Sequence, residues 1–311
     1  MSQKIITIIY FSLIITASIL FSLLYVQSWD PMWNPFRASP NVVIAEMGVK
    51  MAQVKTCHSA LDFEIGIKNE EEFNINGNIK VEADITDSDS IKSATEFKFY
   101  FTAEGMELSL AGENKTIDDV SYFKLTTIPA FPYLDDFKNQ WVKIDQESLG
   151  KIAGEEYQPQ KEDQKMEELI EDIKEVLGKA KMFKVKEELA DEEINNQKVY
   201  HYMVVLDKEG IKVLIPEIIE KMAEYTPELE EFYKELDDFF EKTGEIDAEI
   251  WIGKKDKLPY RIKFEKEIDI SKFDETQDGI IIIKANIEMS AFDQPKNIEA
   301  PQNFKTIDSP F

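Results

Sequence analysis

The chain has 311 residues, with 36 Lys and Arg against 61 Asp and Glu, and a formal net charge of −25 at pH 7. Nucleic-acid binding needs clustered cations to displace phosphate counterions, so this balance argues against that class of partner. The single cysteine, Cys57, excludes an intramolecular disulfide framework, and the fold must rest on its core.

The first element is IITIIYFSLIITASILFSLLYV, from Ile5 to Val26, which contains no charged residue. As a helix it spans ~33 Å, enough for the ~30 Å hydrocarbon core of a bilayer, and it exceeds the ~7–15 apolar residues of a signal peptide. Lys4 precedes it and an acidic chain follows, which puts the amino terminus in the cytoplasm. Trp29, Trp33 and Phe36 come next, suited to the membrane–water interface, and Pro31, Pro35 and Pro40 stop a continuing helix. The expected organisation is a cytoplasmic stretch over 1–4, a transmembrane signal anchor over 5–26, a linker over 27–40, and one extracytoplasmic domain over 41–311. The competing reading is cleavage after Ser28. Lys4, Arg37 and Asp30 leave the first 40 residues at +1, so residues 41–311 carry −26. That acidity favours solubility and repels anionic membrane surfaces.

Ser39 is suited to cap a helix with Pro40 in its first position. Val43, Met47, Met51 and Val54 then recur every three or four residues and predict a helix over 40–56, with Cys57 and His58 at its end. From Leu61 the period changes to two. LDFEIGIK, INGNIKVEADI and ATEFKFYF alternate apolar and polar residues, as half-buried antiparallel strands do. VSYFKL and QWVKID continue the pattern across a Pro-containing loop. Residues 146–163 are polar. Met166, Leu169, Ile170, Ile173, Val176 and Leu177 predict an amphipathic helix over 164–178. MFKVKEEL and KVYHYMVVLD read as strands. A helical block runs from Lys208 to Tyr225 around Pro216 and resumes after Pro227 until Gly244. IDAEIWIG, LPYRIKFEKEIDI and IIIIKANIEMSAF close the chain as long strands. The sum is an α+β fold. It is a strongly curved antiparallel sheet of about 10–11 strands, a half-open barrel wrapped around helices, behind one N-terminal transmembrane helix.

Chemistry finds little support. Two histidines give no metal cluster and no His-dependent triad. His58 beside Cys57 reads as structural, and His201, between Tyr200 and Tyr202, reads as a strand residue with a polar pocket group as the alternative. No Gly-x-Ser-x-Gly, His-Glu-x-x-His, Walker or dinucleotide pattern occurs. Asp84, Asp87 and Asp89 fail the EF-hand spacing and read as a turn. No catalytic residue, metal or cofactor is expected. The apolar stripe is either ordinary core or the wall of a ligand cavity.

The order of elements, the segment CHSALDFEIGIK, and above all Glu249-Ile250-Trp251-Ile252, a charged turn and Leu258-Pro259-Tyr260-Arg261-Ile262 resemble the LolA/LppX-like superfamily of cell-envelope lipid and lipoprotein carriers. The resemblance covers roughly 41–301. It implies an antiparallel half-barrel enclosing an apolar cavity for a lipid or acyl chain; with the anchor over 5–26 and no catalytic motif, the expectation is a membrane-anchored, extracytoplasmic protein that is not an enzyme. This chain departs from the pattern in having no lipobox cysteine. Strand parity assigns the cavity wall to Phe63, Ile65, Ile79, Val81, Phe97, Phe99, Phe101, Ile250, Ile262, Phe264, Ile283 and Ile287. Expected partners are the membrane, through the N-terminal helix, the lipid or acyl ligand, and an envelope protein. The alternative is a structural or protein-interaction ectodomain with a packed core and no ligand.

Overall fold

The structure, a computed structural model, describes residues 32, 34, 37–68, 73–87, 90–103, 105–118, 120–129, 138–144, 176, 182–221, 229–273 and 278–306. Helix α1, Pro40–Gln53, buries Val43 and Met47 from the predicted stripe. It is shorter than the 40–56 expected. Strand β1, Thr56–Lys68, begins where β-branched Val54 and Thr56 leave the helix, and Thr56 already pairs with Asp84. Cys57 and His58 therefore lie on a strand, pointing to opposite faces, and not at a helix end.

β2 (Phe73–Asp84), β3 (Lys92–Ala103), β4 (Met106–Ile117), β5 (Val120–Thr127) and the short β6 (Val142–Ile144) continue from β1 as a meander of antiparallel neighbours. A second meander comprises β7 (Phe183–Ile194), β8 (Gln197–Leu206), β9 (Asp247–Gly253), β10 (Pro259–Asp269) and β11 (Ile280–Ser290). β11 pairs with β1, from His58 opposite Ser290 to Lys68 opposite Ile280, and so fuses the two meanders. β12, Lys305–Thr306, adds to β6 in parallel, a strand the alternation did not signal. Among the described residues the result is one large, curved, unclosed sheet of 12 strands, antiparallel except at β12.

Turn chemistry matches the backbone. Asn195 and Asn196 both have positive φ, 51° and 63°, as a two-residue hairpin turn between β7 and β8 requires, and Asn tolerates that region. Helices α2 (Lys208–Lys221) and α3 (Leu229–Thr243) sit between β8 and β9, with Pro216 inside α2. Asp207 accepts the Glu209 amide at 3.2 Å and starts α2. Gly244, at φ 69°, donates its amide to Phe240 O at 2.9 Å and ends α3. Lys208 and Lys212 both reach Asp237 Oδ1, at 2.6 and 2.5 Å, and hold the two helices together.

Residues from Pro40 onward form one compact unit. The helix expected over 164–178 lies outside the described residues, apart from Val176. So does Ile5–Val26. Among the described residues no helix is long and apolar enough to cross a membrane.

Candidate functional site

Directly opposed residues on antiparallel strands point to the same face, so register decides which side chains meet. One row runs Ile250, Ile262, Ile287, Leu61, Ile79, Phe97, Gly112 from β9 to β4. The next, towards the β1–β2 hairpin, is Ala248, Phe264, Ala285, Phe63, Gly77, Phe99, Leu110. A third contains Ile283, Ile65, Ile75, Phe101 and Leu108. On the other side of the first row, Val81 stands between Ser59 and Thr95. All twelve residues named from strand parity thus share one face of the sheet. Ile250 is fully buried, and the other eleven are half-buried.

The rings on this face form a connected set. Phe97 stacks on Phe99 at 5.4 Å and on Phe123 at 5.8 Å, and Phe99 meets Phe63 at 6.0 Å and Phe101 at 6.4 Å. They lie down over two glycines. A Cβ on Gly77 would come within 2.2 Å of Phe63 Cε1, and one on Gly112 within 2.6 Å of Phe97 Cζ. Parity reasoning missed these glycines because it seeks side chains. Their signal was a glycine inside an alternating strand, which marks close approach. It also passed over β4, although Met106, Leu108 and Leu110 alternate there.

Near the α1 end the same face turns polar without becoming charged. Ser93, Thr95, Asn114, Thr116 and Ser121 line it, with Thr116 Oγ1 and Ser121 Oγ 3.2 Å apart. The opposite face carries the charges. Lys284 lies 3.6 Å from both Glu64 and Glu265, Arg261 reaches Glu288 at 2.8 Å, and Lys124 reaches Glu113 at 2.6 Å. A charged outer face and a mostly apolar inner one, on which Lys266 stands opposite Ile283 and Glu188 opposite Tyr202, give the sheet a solvent side and a side suited to hydrocarbon.

The remaining candidates resolve as structure. His201 is 7% exposed and stacks on Trp251 at 4.2 Å. Its Nδ1 lies 3.0 Å from Glu192 and its Nε2 2.8 Å from Glu249, so both ring nitrogens are engaged in joining β7, β8 and β9. Burial pushes the Cys57 thiol up, away from thiolate chemistry. The hydroxyl and amide of Thr86 hold the Asp84 carboxyl below its ordinary range, as a turn does, while Asp89 lies outside the described residues. Among the described residues no three His, Cys, Asp or Glu could hold a metal. Three grooves formed by described residues have volumes of about 310, 430 and 560 Å³, and their walls include none of the twelve.

No family model matches the sequence, and no curated protein matches it. Several solved bacterial structures are similar to the chain. LprF from Mycobacterium bovis is 10% identical over 85% of this chain and 98% of that one, with a TM-score of 0.42. The Mycobacterium tuberculosis lipoprotein LppX is 11% identical over 84% and 100%, with a TM-score of 0.35. A LolA superfamily protein from Nitrosomonas europaea is 8% identical over 84% and 96%, with a TM-score of 0.20. The likeness is one of overall arrangement.

Proposed function

We propose that the chain is a membrane-anchored, extracytoplasmic protein that holds a lipid or acyl chain against the apolar face of its sheet, without catalysing a reaction. The observation that supports this reading is the convergence of Phe63, Phe97, Phe99 and Phe101 with the Ile rows on one face, where they stay half-buried. A self-sufficient core buries such side chains, as Ile250 and Tyr202 are buried in the second meander. Sequestering acyl carbons is worth ~0.8 kcal/mol per CH₂, on the order of 12 kcal/mol gross for a 16-carbon chain before the cost of ordering it. The resemblance to envelope lipid carriers and the names of the similar structures point the same way. Ile5–Val26 supplies the anchor. A tethered protein does not cross the envelope; it holds or hands over a lipid near its own membrane.

The test uses neighbouring residues on opposite faces. Phe99→Glu puts a charge on the apolar face, and Tyr100→Glu puts one on the solvent face. A polyene fatty acid whose emission rises in apolar surroundings should bind the native protein and Tyr100→Glu alike, and Phe99→Glu weakly. Equal binding by both variants, or none by the folded native protein, contradicts the proposal and leaves an ectodomain that works through its exterior.

A further inference from the structure

The two ends of the sheet differ. At the end where β1 starts, Val54, Ile194, Val199, Trp251, Leu258 and Tyr260 form a buried cluster backed by Met51, Cys57 and Phe292. The chain after β11 folds over that end. Asp293 donates its amide to Thr56 O at 2.8 Å, Thr56 Oγ1 donates to Gln294 O at 2.6 Å, and Asp293 Oδ1 accepts the Lys55 amide at 2.8 Å. This end is sealed.

The opposite end is made by the close of β1, β3 and β10 and the start of β2, β4 and β11, with Ala103 opposite Met106 and Ile280 opposite both Lys68 and Asp269. Large apolar side chains stand exposed there. Met106 is 61% exposed, Leu108 43%, and Phe273 and Ile280 41% each. Phe239 of α3 packs on Phe273 at 6.4 Å and is itself exposed. Met106 and Leu108 are continuous with the apolar face, because Leu108 lies opposite Phe101, Phe101 opposite Ile75, and Ile75 opposite Ile65, whereas Ile280, opposite Lys68 and Asp269, stands on the charged face at the rim. Lys242 Nζ sits 5.3 Å from the Phe273 ring centroid, and Lys68 flanks Ile280, so cations border the patch as they do where side chains reach lipid headgroups. The sequence of the adjoining segments is acidic, with Glu70, Glu71 and Glu72 on one side and Asp274, Glu275 and Asp278 on the other. Those charges repel an anionic surface and leave a net-neutral one accessible.

We propose that this end docks on a net-neutral bilayer surface and is the doorway through which lipid passes to and from the apolar face. The inference rests on the lipid-holding function above. From Met106 and Leu108 apolar side chains run through Phe101, Ile75 and Ile65 into the face and give an acyl chain a path that avoids water, and the buried, hydrogen-bonded cluster at the far end opposes passage there.

The experiment uses the full chain with Cys57→Ala, carrying one new cysteine at a time: Met106→Cys or Phe273→Cys at the exposed end, Ile280→Cys as a second site should either disturb folding, and Asn195→Cys at the sealed end. Each is labelled with an environment-sensitive fluorophore and reconstituted into phosphatidylcholine vesicles with brominated acyl chains. The expected result is loss of emission from labels at 106, 273 and 280, none at 195, and less loss when phosphatidylglycerol is added. Labels at both ends equally unquenched, or quenching confined to 195, would overturn the proposal. Stronger quenching with phosphatidylglycerol would overturn the choice of a net-neutral surface. Solvent extraction of the same preparations keeps the two claims apart. Bound lipid with unquenched labels sinks the docking end alone, and quenched labels with a lipid-free protein sink the lipid-holding function.

Discussion

Phe63 and Phe99 meet across Gly77, with ring centroids 6.0 Å apart, because three neighbouring strands place the glycine between them in register. A side chain at 77 would stand where the rings now lie. The glycine lets two aromatic rings flatten onto the sheet, and so leaves depth above them that upright rings would fill. Gly112 does the same beneath Phe97.

The two glycines differ in what an added methyl would strike. At Gly77 the obstacles are ring atoms, Phe63 Cε1 at 2.2 Å and Phe99 Cδ1 at 2.9 Å, and rings can turn. At Gly112 the backbone carbonyl of Lys124 lies 2.6 Å away and cannot move without breaking the β4–β5 ladder. Gly112→Ala should therefore destabilise more than Gly77→Ala, within the ~1–3 kcal/mol typical of overpacking. Urea denaturation midpoints of the two variants check the order. Gly77→Ala should in addition weaken acyl-probe binding by raising the rings.

Asp207 supplies a pH-dependent tie at the start of α2. Burial opposes its ionisation, but the Lys184 ammonium at 2.7 Å and the amides of Gly210 and Glu209 more than offset this, and its carboxyl lies below the ordinary range. A depressed carboxyl adds stability above its unfolded pKa of about 3.9, and that stability is lost as pH falls through the lower folded value. Asp207→Asn keeps an amide-accepting cap oxygen and loses the ion pair with mostly exposed Lys184, so it should cost no more than about 1 kcal/mol at pH 7. It should also flatten the decline in stability below about pH 4 relative to the native chain. Denaturant midpoints measured from pH 7 down to pH 3 would show it; parallel curves would mean that Asp207 carries no such linkage.

His201 holds an edge strand by three contacts at once: Glu192 on β7, Glu249 on β9, and the face of Trp251. His201→Ala removes all three and leaves two carboxylates facing each other, for an expected loss of about 2 kcal/mol. Glu192→Gln touches only a half-exposed carboxylate and should cost well under 1 kcal/mol. Amide hydrogen exchange should show the β7 segment near Glu192 opening first in His201→Ala, with β1–β4 unchanged. Uniform acceleration across the sheet would argue against a local role.

Much of the fold was legible because a sheet with one apolar and one charged face writes its geometry into alternate residues. Phe97, Phe99 and Phe101 gave their face directly, and Ile283 and Ile287 gave theirs from a run of apolar residues that later turns polar. Other features were hidden because they depend on partners distant in the chain. α1 ends at Gln53 because Thr56 has β2 to pair with, which local periodicity does not contain. β12 is a strand only because Lys305 lies beside Val142. The glycines under the rings are silent until register aligns Gly77 with Phe63 and Phe99. The difference between a sealed and an exposed end emerges only when six strand termini are brought together.

The central claim is that the apolar face holds a lipid. The most direct measurement is organic-solvent extraction and mass spectrometry of residues 38–311, purified from cells without detergent, beside the Phe99→Glu variant. The account predicts about one lipid per native chain and little in a variant that still folds. A folded native protein that yields no lipid and takes up none when lipids are added would contradict it.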